Sequence, residues 1–260
     1  CDRNHNGGQV NRHIADDLQE LSLEDVQTIF SPDFIDQLHV MYMCGNLGDP
    51  ISASDTLEVF DYFRSNNPRM WLSMNTNAGA RKPEWWAELA KTIGRCGAVI
   101  FSVDGLRDTN HLYRQNVVWD HVERNMRAFI DAGGRARWDF LIFEHNQHQV
   151  DEAEALANAW GCEKFMRKKS GRFITNSKAQ TKDTHQAVNR KGEQTTKLQK
   201  PKNLNHQNLA LAKIKEIEKT YGSMMTYYNK AHINCKVAKQ GSIFLTAEGL
   251  VLPCCWTAGR

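Results

Sequence analysis

From residue 22 to residue 166 the sequence alternates amphipathic helical stretches with short apolar runs, and this order constrains the fold more than any other feature. Short links between successive helix and strand leave little choice but parallel strands joined by right-handed crossovers. Ser22 is placed to cap a helix with Leu23, Val26, Ile29 and Phe30 on one face, reinforced by Asp25. The run 38–44 reads as a strand, Ser54 as the cap of a helix using Leu57, Phe60 and Phe63, and 70–75 as the next strand. Pro83 opens a helix with Trp86, Leu89, Ala90 and Ile93 inward, and 98–103 is again β-favouring. Val118, Val122, Met126 and Phe129 mark a long helix stopped at Gly133-Gly134; Trp138, Phe140 and Ile142 alternate along a fourth strand. A helix through Val150, Ala153, Leu156 and Trp160 leads to a fifth short strand, 162–166.

In such α/β folds ligands gather beyond the C-terminal ends of the strands. Those ends here carry Gly45-Asn46-Leu47-Gly48-Asp49-Pro50, Asn75-Thr76-Asn77, Ser102-Val103-Asp104 and Asn146. Glycines let main-chain groups approach a ligand closely, and Asp49 can receive an ammonium or hydroxyl donor. The same composition also makes an ordinary strand-ending turn, and Asp104 can equally cap one.

The net charge of +3 on 260 residues is unevenly laid out, because residues 166–205 hold eleven Lys/Arg against Asp183 and Glu193. With almost no large apolar side chains, 167–205 reads as a basic flexible connector that cannot offset its ordering entropy. Its basicity suits nucleic acid or an acidic peptide, but it lacks interleaved aromatics, which favours a solvated linker over nucleic-acid binding. No apolar run reaches the roughly 20 residues that span a bilayer, and no signal-like segment opens the sequence, so a cytoplasmic protein without membrane contact is expected.

Seven cysteines suit metal or cluster ligation better than a disulfide framework in such a chain. Cys96, Cys162 and Cys44 read as structural, and the histidines show no ligand spacing on a helix face. Cys235 and Cys254, with Gly249 between them, lie on either side of two short β runs around 247–249; a hairpin there returns one cysteine toward the other, as ligands of one metal centre require. Cys255 is a further candidate, and a cysteine-only zinc hairpin is an alternative use of the pair.

The spacing C-x13-G-x4-C ending in Pro-Cys-Cys resembles the opening half of the SPASM domain, an auxiliary iron–sulfur module of radical S-adenosylmethionine enzymes. In that light the first 166 residues resemble the radical S-adenosylmethionine core, which implies an α/β partial (β/α)6 TIM-like barrel with a small cysteine-bearing hairpin extension. Cys1 resembles the third cysteine of the core's C-x3-C-x2-C cluster loop, so that the chain reads as cut at both ends. Gly45 to Pro50 resembles the family's Gly-Gly-Glu-Pro turn with Asp49 for Glu; 75–79 resembles its T-N-G loop with one residue inserted; Ser102-Val103-Asp104-Gly105 with Tyr113-Arg114 resembles its S-x-D-G…Y-R segment. Asn146 sits where many relatives place an asparagine after the fifth strand.

The resemblance implies a core [4Fe–4S] cluster with Cys1 among its ligands, an auxiliary cluster at Cys235 and Cys254, and S-adenosylmethionine held by Gly45, Asn46, Gly48, Asp49, Asn75, Asn77, Ser102, Asp104, Arg114 and Asn146. It implies reductive cleavage of the sulfonium to a 5′-deoxyadenosyl radical that takes hydrogen from a peptide or protein substrate, with a reductant such as flavodoxin or ferredoxin. The implied division is a core at 1–166, the connector at 167–205, and a helix with the start of the auxiliary module at 206–260. The competing expectation from another class is a non-enzymatic zinc-hairpin module that binds nucleic acid or protein through the basic connector.

Overall fold

Ser22 closes a capping box: its hydroxyl accepts the Asp25 N–H at 3.1 Å and its own N–H donates to the Asp25 carboxylate at 2.9 Å. That helix, α1 (Leu23–Ile29), is followed by α2 (Pro32–Asp36), whose Pro at the first turn is preset for helix. In the computed structural model, residues 4–5, 9–10, 20–45, 48–175, 180–188, 193–232 and 234–257 are described.

Five parallel strands follow in chain order as neighbours in one sheet: β1 (Val40–Met43), β2 (Trp71–Thr76), β3 (Gly97–Ser102), β4 (Ala136–Ile142) and β5 (Lys164–Lys169). Between them come α3 (Thr56–Asn66), α4 (Pro83–Ile93), the one-turn α5 (Asn110–Tyr113), α6 (Trp119–Asp131) and α7 (Val150–Trp160). The helices cover one face. Trp86 of α4 and Phe129 of α6 both pack on Phe101 of β3, while Trp119 of α6 and Trp160 of α7 pack on Trp138 of β4. A sheet wound in one direction with its helices on a single side is an α/β partial TIM-like barrel, not a doubly wound sheet, which needs helices on both faces.

Registers pair Thr76 with Phe101 and Phe101 with Trp138, and put Leu72, Met74, Val99 and Phe140 on the same fully buried helix side. The opposite, inner face carries Tyr42, Ser73, Asn75, Ser102, Arg137, Asp139 and Lys168 by the two-residue period of the strands. At the other end of the barrel the Arg64 guanidinium donates to the carbonyls of Thr92, Pro68, Met70, Ile93 and Cys96, joining α3 to the end of α4.

The structure corrects three local expectations. Asp55, not Ser54, is the N-cap of α3, and its carboxylate accepts the Leu23 N–H at 2.9 Å, so it links α3 to α1 rather than closing its own first turn. Val118 precedes α6 as its N-cap and is exposed. The basic segment, expected as a flexible connector, pairs 174–175 with 180–181 and β6 (Thr184–Val188) with β7 (Gln194–Gln199), both antiparallel. Three of its apolar residues fall together: Phe173, Ala187 and Leu198 form a buried cluster with Phe143, flanked by Tyr113 and Leu141. Composition missed this because a hairpin docked on an existing domain needs only a few inward residues of its own. The docking is completed by Glu144 N–H to the Gln199 carbonyl at 3.0 Å and by the Lys202–Glu144 ion pair at 2.8 Å.

Further on lie α8 (Ala210–Tyr221), α9 (Met224–Lys230), α10 (Lys236–Gln240) and a hairpin of β8 (Phe244–Leu245) with β9 (Val251–Leu252). Gly249 turns that hairpin at φ +82°, a backbone state that glycine adopts without strain. Among the described residues no helix is long and apolar enough to cross a membrane.

Candidate functional site

Of the expected residues, Gly45, Gly48, Asp49, Asn77 and Asp104 lie at the tips of β1, β2 and β3. Gly45, at φ +61°, turns the chain so tightly that a Cβ there would lie 2.6 Å from the Gly48 carbonyl oxygen, so the turn requires glycine; Gly48 lies in open space. Asp49 follows and accepts the Asn77 N–H at 2.7 Å and the Ile51 N–H at 3.2 Å, tying the first tip to the second. Burial pushes the Asp49 carboxyl above its ordinary range, against the pull of those donors, of Thr76 and of the Arg114 charge.

Asp104 is fully enclosed at the tip of β3. Its carboxylate accepts the Arg114 Nε–H at 2.6 Å and the Leu141 N–H at 2.6 Å, while its own N–H donates to Asn110 Oδ1 at 2.9 Å. It therefore does more than cap a turn. Gly105 completes the bend at φ +151°, where a Cβ would lie 2.3 Å from the Thr109 hydroxyl. Arg114 faces both Asp104 and Asp49, and these anions with the Tyr113 ring hold its guanidinium charged against the cost of burial. Its Cζ lies 5.1 Å from the Tyr113 ring centroid, and Arg172 stands on the same ring at 4.9 Å.

Asn146 is wholly committed within the protein. Its Oδ1 accepts the Phe143 N–H at 2.7 Å and its Nδ2 donates to the carbonyls of Asp104 at 2.8 Å and Leu141 at 3.0 Å. It fixes the β3 and β4 tips relative to each other. Asn77 Oδ1 accepts the Gly79 N–H at 2.8 Å. Asn75 lies below the rim on the inner face beside the Tyr42 hydroxyl, with its Oδ1 buried and unpartnered. Ser102 is half-buried on that same face, in register with Asp139.

Asn46 and Cys1 lie outside the described residues. Cys235 is the exposed N-cap of α10, and Cys254 is half-buried just after β9. Among the described residues no three metal-capable side chains come together, so these two thiols fall short of the four that a cubane cluster takes.

Two features escape a reading of strand tips. The loop after β2 holds Ala78 at φ +58° and Arg81 at φ +68°, both left-handed without glycine. Asn125 of α6, fully buried, holds it by donating Nδ2–H to the Ala78 carbonyl at 2.8 Å and the Ala80 carbonyl at 2.9 Å. The available signal was an Asn on the apolar stripe of Val122, Met126 and Phe129. Asn125→Ala strands the Ala78 carbonyl, whereas Ala80 keeps the Trp86 indole N–H; a loss of about 2 kcal/mol is expected in urea unfolding. The second feature is the ionic row on the inner face, where Asp139 pairs with Arg137 at 2.6 Å and with Lys168. Alternation along 138–142 marks the helix side but leaves its polar partners uninterpreted.

No protein-family model matches this chain, and neither does any curated protein. Among solved structures it is similar to Streptococcus suis SuiB, at 14% identity and TM-score 0.48, over 83% of this chain and 50% of that one. SuiB bound to S-adenosylmethionine matches at 17% identity and TM-score 0.41, over 48% and 28%. Native anSMEcpe with bound AdoMet matches at 15% identity and TM-score 0.42, over 57% and 45%. The chain thus spans at most half the length of these structures.

Proposed function

We propose that this chain is the core, with the start of a SPASM-type module, of a cytoplasmic radical S-adenosylmethionine enzyme acting on a peptide or protein with electrons from a flavodoxin- or ferredoxin-like partner. The observation that carries the reading is the Asp49–Arg114–Asp104 arrangement at the rim. An amino-acid zwitterion presents an ammonium and a carboxylate a few ångströms apart, and the rim offers a half-buried acid and a half-buried cation whose charges face each other.

The donor set fits the methionyl end of S-adenosylmethionine. Asp49 has carboxylate lone pairs left after its main-chain contacts, and Arg114 spends only Nε on Asp104. In this role Asp49 takes the ammonium, Arg114 takes the carboxylate, and Asp104 and Asn146 hold the rim in shape. When bound, the cofactor pair of the family supplies reductive sulfonium cleavage and hydrogen abstraction. Among the described residues, Cys235 and Cys254 alone do not make a cluster site.

The test is on full-length protein purified anaerobically, by iron and sulfide content and reductive formation of 5′-deoxyadenosine; no cleavage after reconstitution defeats the reading. The pH dependence has a definite sign. A bound ammonium favours ionised Asp49, so affinity measured by calorimetry rises as pH climbs through its raised pKa, with proton release below that point; Asp49→Asn flattens the profile and weakens binding about tenfold. Without ligand the same raised pKa works oppositely on folding. The stability it contributes is present below the unfolded pKa and is lost as pH rises through the folded one.

A further inference from the structure

We propose that Arg137 and Lys168, gathered on Asp139 at the inner face of the sheet, form a carboxylate-recognising subsite for an acidic peptide. This names the substrate class of the enzyme proposed above and rests on that reading.

The charge count comes first. Asp139 is almost enclosed, with its side chain 6% exposed, yet it is contacted by two cations whose side chains remain 32% and 45% exposed. One carboxylate facing two cations leaves a surplus positive charge on an open face, and a surplus of that kind attracts anions. The donors are also unspent. Arg137 uses its Nε–H on Asp139, which leaves the guanidinium NH2 groups, and an ammonium has three donors. A second carboxylate can therefore be taken by Arg137 and Lys168 without displacing Asp139.

An independent observation on the same face points to a ligand carrying a donor. Register places Asn75, Ile100 and Arg137 in one transverse row of β2, β3 and β4. Asn75 Oδ1 in that row is buried and has no hydrogen-bond partner, which is costly unless a donor arrives. A peptide offers both groups, a backbone N–H for Asn75 and a carboxylate for the two cations, whereas a simple inorganic anion offers no donor. Tyr42, exposed on the same face and beside the Asn75 side chain, adds aromatic surface to the row.

The carboxylate can come from an Asp/Glu side chain or from a peptide C-terminus, and three probes separate these: acetyl-Gly-Glu-Gly-amide, acetyl-Gly-Gln-Gly-amide, and acetyl-Gly-Gln-Gly with a free C-terminus. Each is titrated into full-length protein without S-adenosylmethionine, following the Arg137 Nε–H and the backbone amides of β4 by NMR. At least one carboxylate peptide should bind about tenfold tighter than the neutral amide, and which one does so assigns the source. Arg137→Gln and Lys168→Gln should each remove that preference. Asp139→Asn, which frees both cations, should strengthen it, whereas a purely structural ion cluster leaves peptide binding unmoved.

Arg114→Gln separates the two readings. It should abolish S-adenosylmethionine binding and leave the peptide preference intact. Equal binding of all three probes, or a preference that follows Arg114 instead of Arg137, overturns the subsite. In the unsubstituted protein, absence of cofactor binding or of cleavage with the preference retained counts against the proposed function alone.

Discussion

Asp104→Ala is expected to lower unfolding stability by about 3 kcal/mol, read as a shift of the denaturant midpoint at unchanged slope. The side chain is 1% exposed and is the acceptor for both the Arg114 guanidinium and the Leu141 N–H. Alanine leaves the second donor stranded and the first facing Asp49 alone, with the desolvation cost of a half-buried cation no longer matched by its nearest anion. Asp104→Asn keeps Oδ1 for Leu141 but turns an amide N–H toward a guanidinium, and should cost about 2 kcal/mol. Because Arg114 is the main partner, adding Arg114→Met to the alanine variant should cost less than the two single changes combined. A loss under about 1 kcal/mol for Asp104→Ala would mean that the carboxylate is not what keeps Arg114 at the rim.

How much was legible follows from where the information sits along the chain. Helix and strand periods gave the alternating order, and Ser22 with Asp25 gave a true capping box, since both depend on neighbours a few residues apart. The pairing of Asp104 with Arg114 was legible only as a motif spacing; Arg114 is the C-cap of α5, close enough in sequence for local folding to deliver it. Asn125 reaches a loop 47 residues earlier, and no local pattern announces that contact. The ionic row was hidden for another reason. Arg137, Asp139 and Lys168 look like solvent-facing residues of amphipathic strands, and only the winding of the sheet makes that side an interior. The hairpin at 184–199 was missed because Phe143, on another element, supplies much of its buried cluster.

Trp138→Ala should cost about 4 kcal/mol, at the upper end for a core truncation. The ring is fully buried, stacked on Trp160 at 5.5 Å and 21°, edge-on to Phe165 at 5.8 Å, and tilted to Trp119 at 6.5 Å. Removing it opens a cavity among three aromatics that α6, α7 and β5 cannot collapse into without shifting together. Its indole Nε1–H also donates to the Val103 carbonyl at 2.8 Å, one residue before Asp104, so the core stack is joined to the tip that carries the rim acid. Trp138→Phe isolates that link: most of the packing stays while the donor is lost, and about 1–2 kcal/mol should go with it. If the bond only stabilises, S-adenosylmethionine affinity in the phenylalanine variant stays at the parent value under native conditions. If it positions Asp104, affinity falls although the protein remains folded, and restoring stability with denaturant-protective osmolytes does not recover it. The second outcome is expected, because Val103 N–H is itself bonded to the Asp139 carbonyl at 3.2 Å, which leaves Val103 held on both sides by β4 and the Asp104 tip without slack.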